Sequence, residues 1–234
     1  LEFDLFRKRD NNGIYMYNNS FIKIEYPLNE MSILNATKKI NKIQSDYLSD
    51  MKCYYSIIPD KNYFTDKDQY VSMDYGRLQN IMNENIENAE YINIFDCLEL
   101  SDYYITDIHW KQENLQKVVD KISKAVGFYD RLAMSCEKKE ITEFDGIYAN
   151  ELPFDAGQDK ISILTNDIIQ NANVYNYENE KETRIYDMEK LNSFDKYDIY
   201  LSGSVPLITI ANSNAKVDKE LIVFRDSFGS SLIP

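Results

Sequence analysis

The chain has 234 residues, of which 44% are hydrophobic, enough to bury the core of one large domain or two small ones. Its 26 basic residues against 39 acidic ones give a net charge of −13. That balance argues against a general nucleic-acid binder and against docking on anionic membranes, because both need a surplus of Lys and Arg. No apolar run reaches the ~20 residues that a membrane-spanning helix needs.

The three cysteines, Cys53, Cys97 and Cys136, lack the spacing of metal ligands, and an odd number cannot pair completely within one chain. There is no glycine motif for phosphates and no second histidine for a metal site, so the sequence predicts no cofactor and no metal. The chain begins at Leu1 rather than Met and ends at Pro234, within what reads as an element. We therefore expect a fragment of a longer protein, truncated at both ends.

The first half of the chain alternates between strand patterns and helix patterns. Strands are expected within residues 13–26, as a pair around an Asn-Asn turn, and over 53–58 and 91–95; amphipathic helices are expected over 28–48 and 78–86. Alternation of this kind predicts a mainly parallel sheet covered by helices.

The second half is less regular. A helix is predicted over residues 115–126. Residues 130–196 are polar with short β-prone pieces, and they predict a partly β insertion that covers one end of the sheet. A strand over 207–210 follows, and then a buried strand over 221–224 that runs directly into an Asp-Ser pair.

His109 and Trp110 are the only histidine and the only tryptophan, and Asp107 lies two residues before the histidine. Histidine is the side chain whose unperturbed pKa lies near neutral pH, so His109 is the first candidate for acid–base chemistry. The plainer interpretation is a helix-entry segment with a capping residue and an aromatic side chain packed on the core.

Ser227 follows Asp226 at the end of the last predicted strand. A serine at a strand-to-helix turn can expose its hydroxyl at the edge of the sheet, near backbone N–H groups that stabilise an oxyanion. The plainer interpretation is that Ser227 is a helix N-cap. With Asp107 and His109, however, it completes the set of nucleophile, base and orienting carboxylate.

These two stretches carry a resemblance to a known family. Tyr103–Trp110 resembles the signature of the DHHW family of bacterial proteins, and Leu221–Gly229 resembles its Asp-Ser-Phe motif. The same pair of motifs occurs in the SGNH-hydrolase-like proteins of alginate O-acetylation. Asp195–Gly203 and Ile57–Lys61 also resemble the family's pattern, so the resemblance covers roughly residues 13 to 234.

The resemblance implies a single SGNH-hydrolase-like domain over residues 1–234, a three-layer α/β/α fold with a mainly parallel sheet. It also implies a Ser227–His109–Asp107 triad. The chain departs from the family at Ile108, where the family has its first histidine; the outer positions of Asp-x-His are kept.

A second departure affects the oxyanion site, because the family's Gly-Asn pair is Gly203-Ser204 here. We expect the backbone N–H of Gly203 to help hold the oxyanion and the Ser204 hydroxyl to replace the asparagine amide. Lys61 and Trp110 are further candidates for substrate binding; for Trp110, core packing is the alternative to stacking on a sugar ring.

The activity implied is acyl transfer outside the cytoplasm, by an O-acetyltransferase or an acetylesterase acting on cell-surface polysaccharide. The partners expected are a polysaccharide or acetylated sugar and a membrane-bound acyl donor, but no nucleic acid. The expected location is the cell surface, with anchoring through a missing N-terminal segment. The alternative is a non-catalytic carbohydrate-binding surface module on the same fold.

Overall fold

The computed structural model describes residues 10–129, 135–151, 157–213 and 219–234. Contacts between residues divide the chain into two compact units. Within the described ranges, the first unit comprises residues 10–101 and 117–129, and the second comprises 102–116 and everything from 135 onwards. No helix in these ranges is long and apolar enough to cross a membrane. The single domain over residues 1–234 stays a prediction.

The first unit contains a hairpin, a parallel pair of strands and three helices. Its strands are β1 (Ile14–Tyr17), β2 (Ser20–Lys23), β3 (Cys53–Tyr55) and β4 (Ala89–Tyr91), and its helices are α1 (Glu30–Tyr47), α2 (Tyr75–Asn85) and, from its second residue on, α3 (Gln116–Val126). The predicted hairpin is confirmed. Its turn residues Asn18 and Asn19 both have positive φ, 47° and 59°, as a two-residue hairpin turn requires.

Local signals define the first two helices of this unit. The Asn29 side chain accepts from the N–H of Ser32 at 3.0 Å and begins α1. The Asp74 side chain accepts from the N–H of Arg77 at 2.8 Å and begins α2. These caps satisfy backbone donors that a helix start leaves without partners. Helix α2 joins β3 to β4, which pair in parallel, so this unit contains the predicted strand–helix–strand alternation.

The second unit is built from antiparallel strands. They are β5 (Glu137–Phe144), β6 (Asp159–Thr165), β7 (Asn173–Asn176), β8 (Lys181–Thr183) and β9 (Ile208–Ala211), with the short helices α4 (Asp167–Asn171) and α5 (Phe228–Leu232). Strands β5 and β6 form one ladder, and the order β8-β7-β9 forms another. Short 3-10 helices occur at Lys61–Phe64, Phe95–Cys97, Leu100–Asp102, Gln112–Asn114, Met188–Asn192 and Lys196–Ile199.

Aromatic side chains dominate the core of the second unit. The buried cluster consists of Tyr104, Phe144, Ile161, Tyr197, Ile199 and Tyr200. Tyrosine can fill this core because the free-energy cost of burying its hydroxyl is compensated where that hydroxyl finds a hydrogen-bond partner. The hydroxyl of Tyr200, for example, donates to the carbonyl of Ser162 at 2.5 Å.

The prediction of a mainly parallel sheet is wrong. Among the described strands, only β3 and β4 pair in parallel, and every other pair is antiparallel. The physical reason is visible at β7 and β8, which are joined by residues 177–180 alone. A connection that short closes a hairpin, whereas a parallel pair needs a crossover of a dozen or more residues.

The buried strand predicted over residues 221–224 is also wrong. These residues form no regular element, and their four apolar side chains are between 46% and 71% exposed. A run of apolar, β-prone residues becomes a buried strand only when another strand pairs with its backbone. Within the described residues, no strand pairs with it.

Candidate active site

The segment with the only histidine forms a closed loop, residues 103–110, which we call the histidine loop. Tyr103 and Trp110 face each other in an antiparallel bridge. Between them, the N–H of Tyr104 donates to the carbonyl of His109 at 3.0 Å. The chain therefore turns back within a few residues, and Asp107 and His109 lie together in the turn.

A buried carboxylate anchors this loop to the sheet. Asp159, at the start of β6, is 3% exposed. It accepts from the N–H of Ile105 at 2.8 Å and from both the N–H and the hydroxyl of Thr106, at 2.7 and 2.8 Å. Three donors compensate for the burial of its charge, which would otherwise be costly. No local pattern in the sequence marks this residue, because it contacts positions more than fifty residues away.

A glycine after β5 lets the backbone approach the loop closely. A Cβ on Gly146 would lie 2.4 Å from the Cβ of Asp107 and 2.5 Å from the carbonyl oxygen of Thr106. Glycine is the residue that fits such an approach. The N–H of Gly146 donates to the Thr106 hydroxyl at 2.9 Å, and the N–H of Ile147 donates to Oδ2 of Asp107 at 3.0 Å.

Asp107 and His109 form a tight buried pair. Nδ1 of His109 lies 2.6 Å from Oδ1 of Asp107, and the backbone N–H of His109 donates to the same oxygen at 2.9 Å. Burial raises the pKa of Asp107, but the hydrogen bonds and electrostatic attraction of His109 and the N–H of Ile147 outweigh it and hold the pKa below its ordinary value of 3.8. An ionised carboxylate only accepts, so Nδ1 carries the proton and Nε2 is left as the acceptor.

Nε2 of His109 points at Ser227. The distance from Nε2 to the Ser227 Oγ is 2.8 Å, inside the roughly 2.6–3.2 Å range of a nucleophile–base hydrogen bond. Asp107 is 0% exposed and His109 is 5% exposed, whereas Ser227 is exposed. The carboxylate is therefore shielded from water while the serine hydroxyl can be reached by a substrate.

The plainer interpretation of Ser227, that of a helix N-cap, does not hold for its side chain. Its hydroxyl makes no capping hydrogen bond to α5. Instead, Oδ1 of Asp226 accepts from the N–H groups of Phe228 and Gly229, at 3.0 and 3.4 Å. Asp226 thus takes over the capping role, which leaves the Ser227 hydroxyl to His109.

Trp110 is a core residue. Its ring is 0% exposed and packs edge-on against Phe228, with centroids 5.4 Å apart. Its indole N–H donates to the carbonyl of Phe228 at 3.0 Å and to the hydroxyl of Ser231 at 2.9 Å. A ring without exposed surface cannot stack on a sugar, so the expected substrate-binding role of Trp110 is corrected to packing between the histidine loop and α5.

Residues 200–204, which we call the glycine turn, hold the two expected oxyanion residues. Leu201, Ser202 and Gly203 have successive positive φ angles of 53°, 60° and 76°. The N–H of Gly203 donates to the carbonyl of Tyr200 at 3.1 Å. It is therefore already used within its own turn, and the expected role of this N–H in holding an oxyanion is corrected. Ser204 is exposed.

An arginine joins the glycine turn to the segment that carries Ser227. Nη2 of the half-buried Arg225 donates to the carbonyl of Gly203 at 3.1 Å, and Nη1 donates to the Asp226 carbonyl at 3.3 Å and to the hydroxyl of Ser230. Burial lowers the pKa of Arg225 from its ordinary value of 12.5. The structure thus brings the glycine turn beside the Asp-Ser pair through a residue that sequence reasoning missed.

Lys61 lies in the other unit. It begins the 3-10 helix Lys61–Phe64 and is 3% exposed. The substrate-binding role expected for it is not supported, because a side chain that deeply buried presents almost no surface to a sugar.

Among the described residues, no group of three or more His, Cys, Asp or Glu side chains is placed to hold a metal ion.

A chain of hydrogen bonds thus joins Asp107, His109 and Ser227. Comparison with known proteins shows which solved structures have a similar fold. No protein-family model and no curated protein matches the sequence. Bacillus cereus PatB1 has a similar structure, with a TM-score of 0.69 and 16% identity over 94% of this chain and 82% of its own. PatB1 with a sulfonyl adduct gives 0.70 and 14% over 94% and 81%.

A DHHW family protein from Eubacterium siraeum is similar as well, with a TM-score of 0.71 and 15% identity over 95% of this chain and 78% of its own. At these identities the likeness is one of fold. The chain therefore shares the fold of a DHHW family protein, and the family resemblance of its two motifs is confirmed at that level.

Proposed function

We propose that this protein is a Ser–His–Asp enzyme that transfers or hydrolyses acyl groups, an O-acetyltransferase or an acetylesterase of cell-surface polysaccharide. The observation that carries the proposal is the continuous chain of hydrogen bonds from Asp107 through His109 to Ser227, with distances of 2.6 and 2.8 Å. The family resemblance of both motifs supports the acetyl group and the polysaccharide.

In the first step, the Oγ of Ser227 attacks the acetyl carbonyl carbon while its proton passes to Nε2 of His109. The intermediate collapses when the bond to the leaving oxygen breaks, and that oxygen takes the proton from His109. The products are an acetylated Ser227 and a free alcohol. Asp107 remains ionised throughout, and it holds the imidazole in the correct tautomer and orientation.

In the second step, water or a sugar hydroxyl gives its proton to Nε2 of His109 and bonds to the acetyl carbon. The bond between that carbon and the Ser227 oxygen breaks, and the oxygen recovers the proton. Water gives an esterase and a sugar hydroxyl gives a transferase; the same residues serve both reactions.

The oxyanion needs hydrogen-bond donors other than the three triad side chains. Within the described residues, no hydrogen bond uses the N–H of Ser227, so this group is the first donor we propose. The second is the hydroxyl of Ser204, which stands where the family has asparagine. Loss of one such donor typically costs on the order of 10²–10³ in rate.

We propose further that the protein acts outside the cytoplasm and receives acetyl groups from a membrane-bound donor. Both ideas rest on the family resemblance.

The net charge of the protein, −13, fits a neutral glycan substrate better than a polyanionic one, because like charges repel.

One observation favours a second candidate, the non-catalytic carbohydrate-binding module. The N–H of Gly203 is occupied by the Tyr200 carbonyl, so the oxyanion site lacks the donor that this position was expected to supply. A module of this kind would bind glycan without turning it over.

Acetate release tests the proposal, first from para-nitrophenyl acetate and then from acetylated polysaccharide. We expect Ser227→Ala and His109→Ala each to lower the rate by about 10³-fold or more. Ser45→Ala, an exposed serine on α1, is the control and should retain the wild-type rate. Wild-type turnover in Ser227→Ala would contradict the proposal. Glycan binding without any turnover, unchanged in both variants, would favour the second candidate.

A further inference from the structure

The imidazole of His109 lies flat against a tyrosine ring. The ring centroids of His109 and Tyr197 are 3.8 Å apart and the planes differ by 8°. The other aromatic contact of the imidazole among the described residues, with Phe228, has centroids 4.9 Å apart and a tilt of 55°. Of these two neighbours, Tyr197 is therefore the one whose surface is parallel to the imidazole and can define its plane.

Tyr197 is itself held firmly. Its side chain is 2% exposed, and its ring packs edge-on against Tyr200 at 5.0 Å and Tyr104 at 6.3 Å. Close-packed side chains of this kind have little freedom to tilt. The 3-10 helix Lys196–Ile199 carries the residue, and the Asp195 side chain caps that helix by accepting from the N–H of Tyr197 at 2.9 Å.

The hydroxyl of Tyr197 is tied to the helix that follows the nucleophile. It lies 2.7 Å from Oγ of Ser231 in α5, and the same Oγ accepts from the indole N–H of Trp110 at 2.9 Å. Trp110 is the neighbour of His109 in the chain, so Ser231 links the Tyr197 ring back to the segment that carries the imidazole. Burial raises the pKa of the Tyr197 hydroxyl well above its ordinary value of 10.0, and the hydroxyl therefore stays neutral.

The plane of the imidazole matters because both of its hydrogen bonds lie in that plane. Rotation about the bond that carries the ring would move Nδ1 away from Asp107 and Nε2 away from Ser227 together. The histidine loop fixes the backbone of His109 and the Nδ1 end of its ring. The exposed Ser227 gives little restraint at the other end.

We propose that Tyr197 is a positioning residue, whose ring sets the plane of His109 so that Nδ1 meets Asp107 and Nε2 meets Ser227. This inference rests on the proposed function, because it gives Tyr197 a role only if His109 activates Ser227. A misplacement of about 1 Å in such a constellation can cost about 10²-fold in rate.

The simpler alternative is that Tyr197 only fills the core of its unit. The two ideas differ in what a conservative change preserves. Tyr197→Phe keeps the stacked ring and removes the hydroxyl, whereas Tyr197→Leu keeps a comparable apolar bulk and removes the flat surface. A filling role makes both variants lose folded protein without changing the rate per folded molecule. A positioning role makes the rate itself depend on the ring.

The experiment measures how fast phenylmethanesulfonyl fluoride modifies Ser227, by mass spectrometry of the intact full chain. In this reaction the Ser227 oxygen bonds to sulfur, the sulfur–fluorine bond breaks, fluoride leaves and the proton passes through His109 to the buffer. The rate reports the activation of Ser227 without requiring an acetyl substrate. Val174→Ala is the matched control, because Val174 is buried in another core cluster of the same unit.

Rates are divided by the folded fraction of each variant, taken from its unfolding curve. We expect Tyr197→Phe and Val174→Ala to remain within about threefold of the wild type, and Tyr197→Leu to fall by about 10²-fold. With para-nitrophenyl acetate, the fall should appear in kcat and leave KM within about twofold. Modification of Tyr197→Leu at the wild-type rate would overturn the inference, and so would an equal loss in Val174→Ala.

Failure of the proposed function gives a different result. If the wild type reacts with the sulfonyl fluoride at Ser227 but releases no acetate, acyl transfer to acetyl substrates is wrong while the role of Tyr197 stands or falls on the sulfonylation rates. If the wild type does not react at Ser227 at all, both proposals are overturned.

Discussion

Replacing Asp107 by asparagine tests the central hydrogen bond of the site. The carboxylate is 0% exposed and accepts from three N–H groups, Nδ1 and the backbone N–H of His109 and the N–H of Ile147. Asparagine has nearly the same shape but one amide nitrogen that can only donate. If that nitrogen faces Nδ1, the imidazole proton moves to Nε2, which then cannot accept from Ser227.

The expected loss is large for the rate and moderate for stability. A wrong imidazole tautomer in a Ser–His–Asp site costs about 10⁴-fold in kcat. Loss of a charged acceptor costs about 1–3 kcal/mol in the free energy of unfolding at neutral pH, because hydrogen bonds to ionised groups contribute more than neutral ones. The assays are acetate release and urea unfolding.

The stability difference must also depend on pH. The pKa of Asp107 is lower in the folded protein than its ordinary value of 3.8, so the ionised carboxylate stabilises the fold at every pH above that value. This contribution is lost as the pH falls below 3.8 and through the folded-state pKa. Wild type and Asp107→Asn should therefore differ most near neutrality and converge in acid. A constant difference across that range, or a kcat within tenfold of wild type, would refute the reasoning.

Substitutions at three further positions have expected outcomes. Gly146→Ala places a Cβ against backbone atoms of the histidine loop, so we expect a loss of about 1–3 kcal/mol in the free energy of unfolding, measured in urea, and a lower kcat. Ser204→Ala should lower kcat by about 10²-fold, and Ser204→Asn should restore or exceed the wild-type rate of acetate release, because an amide N–H is a fixed oxyanion donor. Arg225→Met frees the carbonyl of Gly203, and we expect about tenfold lower kcat with little change in KM.

Each of these changes has a control in the same chain. Gly76→Ala, at a helical glycine whose added Cβ meets only a side-chain oxygen at 3.3 Å, should leave kcat unchanged. Ser45→Ala and Arg184→Met alter exposed residues, and neither should affect acetate release. An Arg225→Met enzyme with wild-type kcat would show that catalysis does not depend on the hydrogen bond between Arg225 and the glycine turn. A Ser204→Ala enzyme at full rate would remove this residue from the oxyanion site.

The elements that sequence reasoning predicted well are those with local causes. The hairpin at Asn18-Asn19, helix α1 and helix α3 all depend on turn residues, caps and periodic apolar positions within a few residues of each other. Propensities of this kind act through neighbours in the chain, so they can be read without knowledge of the fold. The strand over residues 221–224 had the same local signals and failed, because a strand also needs a partner.

The residue types of the candidate site can be read from the amino-acid sequence alone. Asp107 and His109 lie two positions apart, which places them in one loop. The Asp-Ser pair was identified first from its place at the end of a predicted strand, and then from the family resemblance of its motif. The sequence also shows the two positions at which the chain departs from the family's motifs, Ile108 and Ser204.

How those residues are held and used depends on tertiary contacts. It brings Ser227 to 2.8 Å from a histidine 118 positions earlier, gives the capping role to Asp226 and occupies the N–H of Gly203. It also adds Tyr197 beside the imidazole. These contacts join residues far apart in the chain, and their geometry depends on the packing of the whole second unit, which no local pattern records.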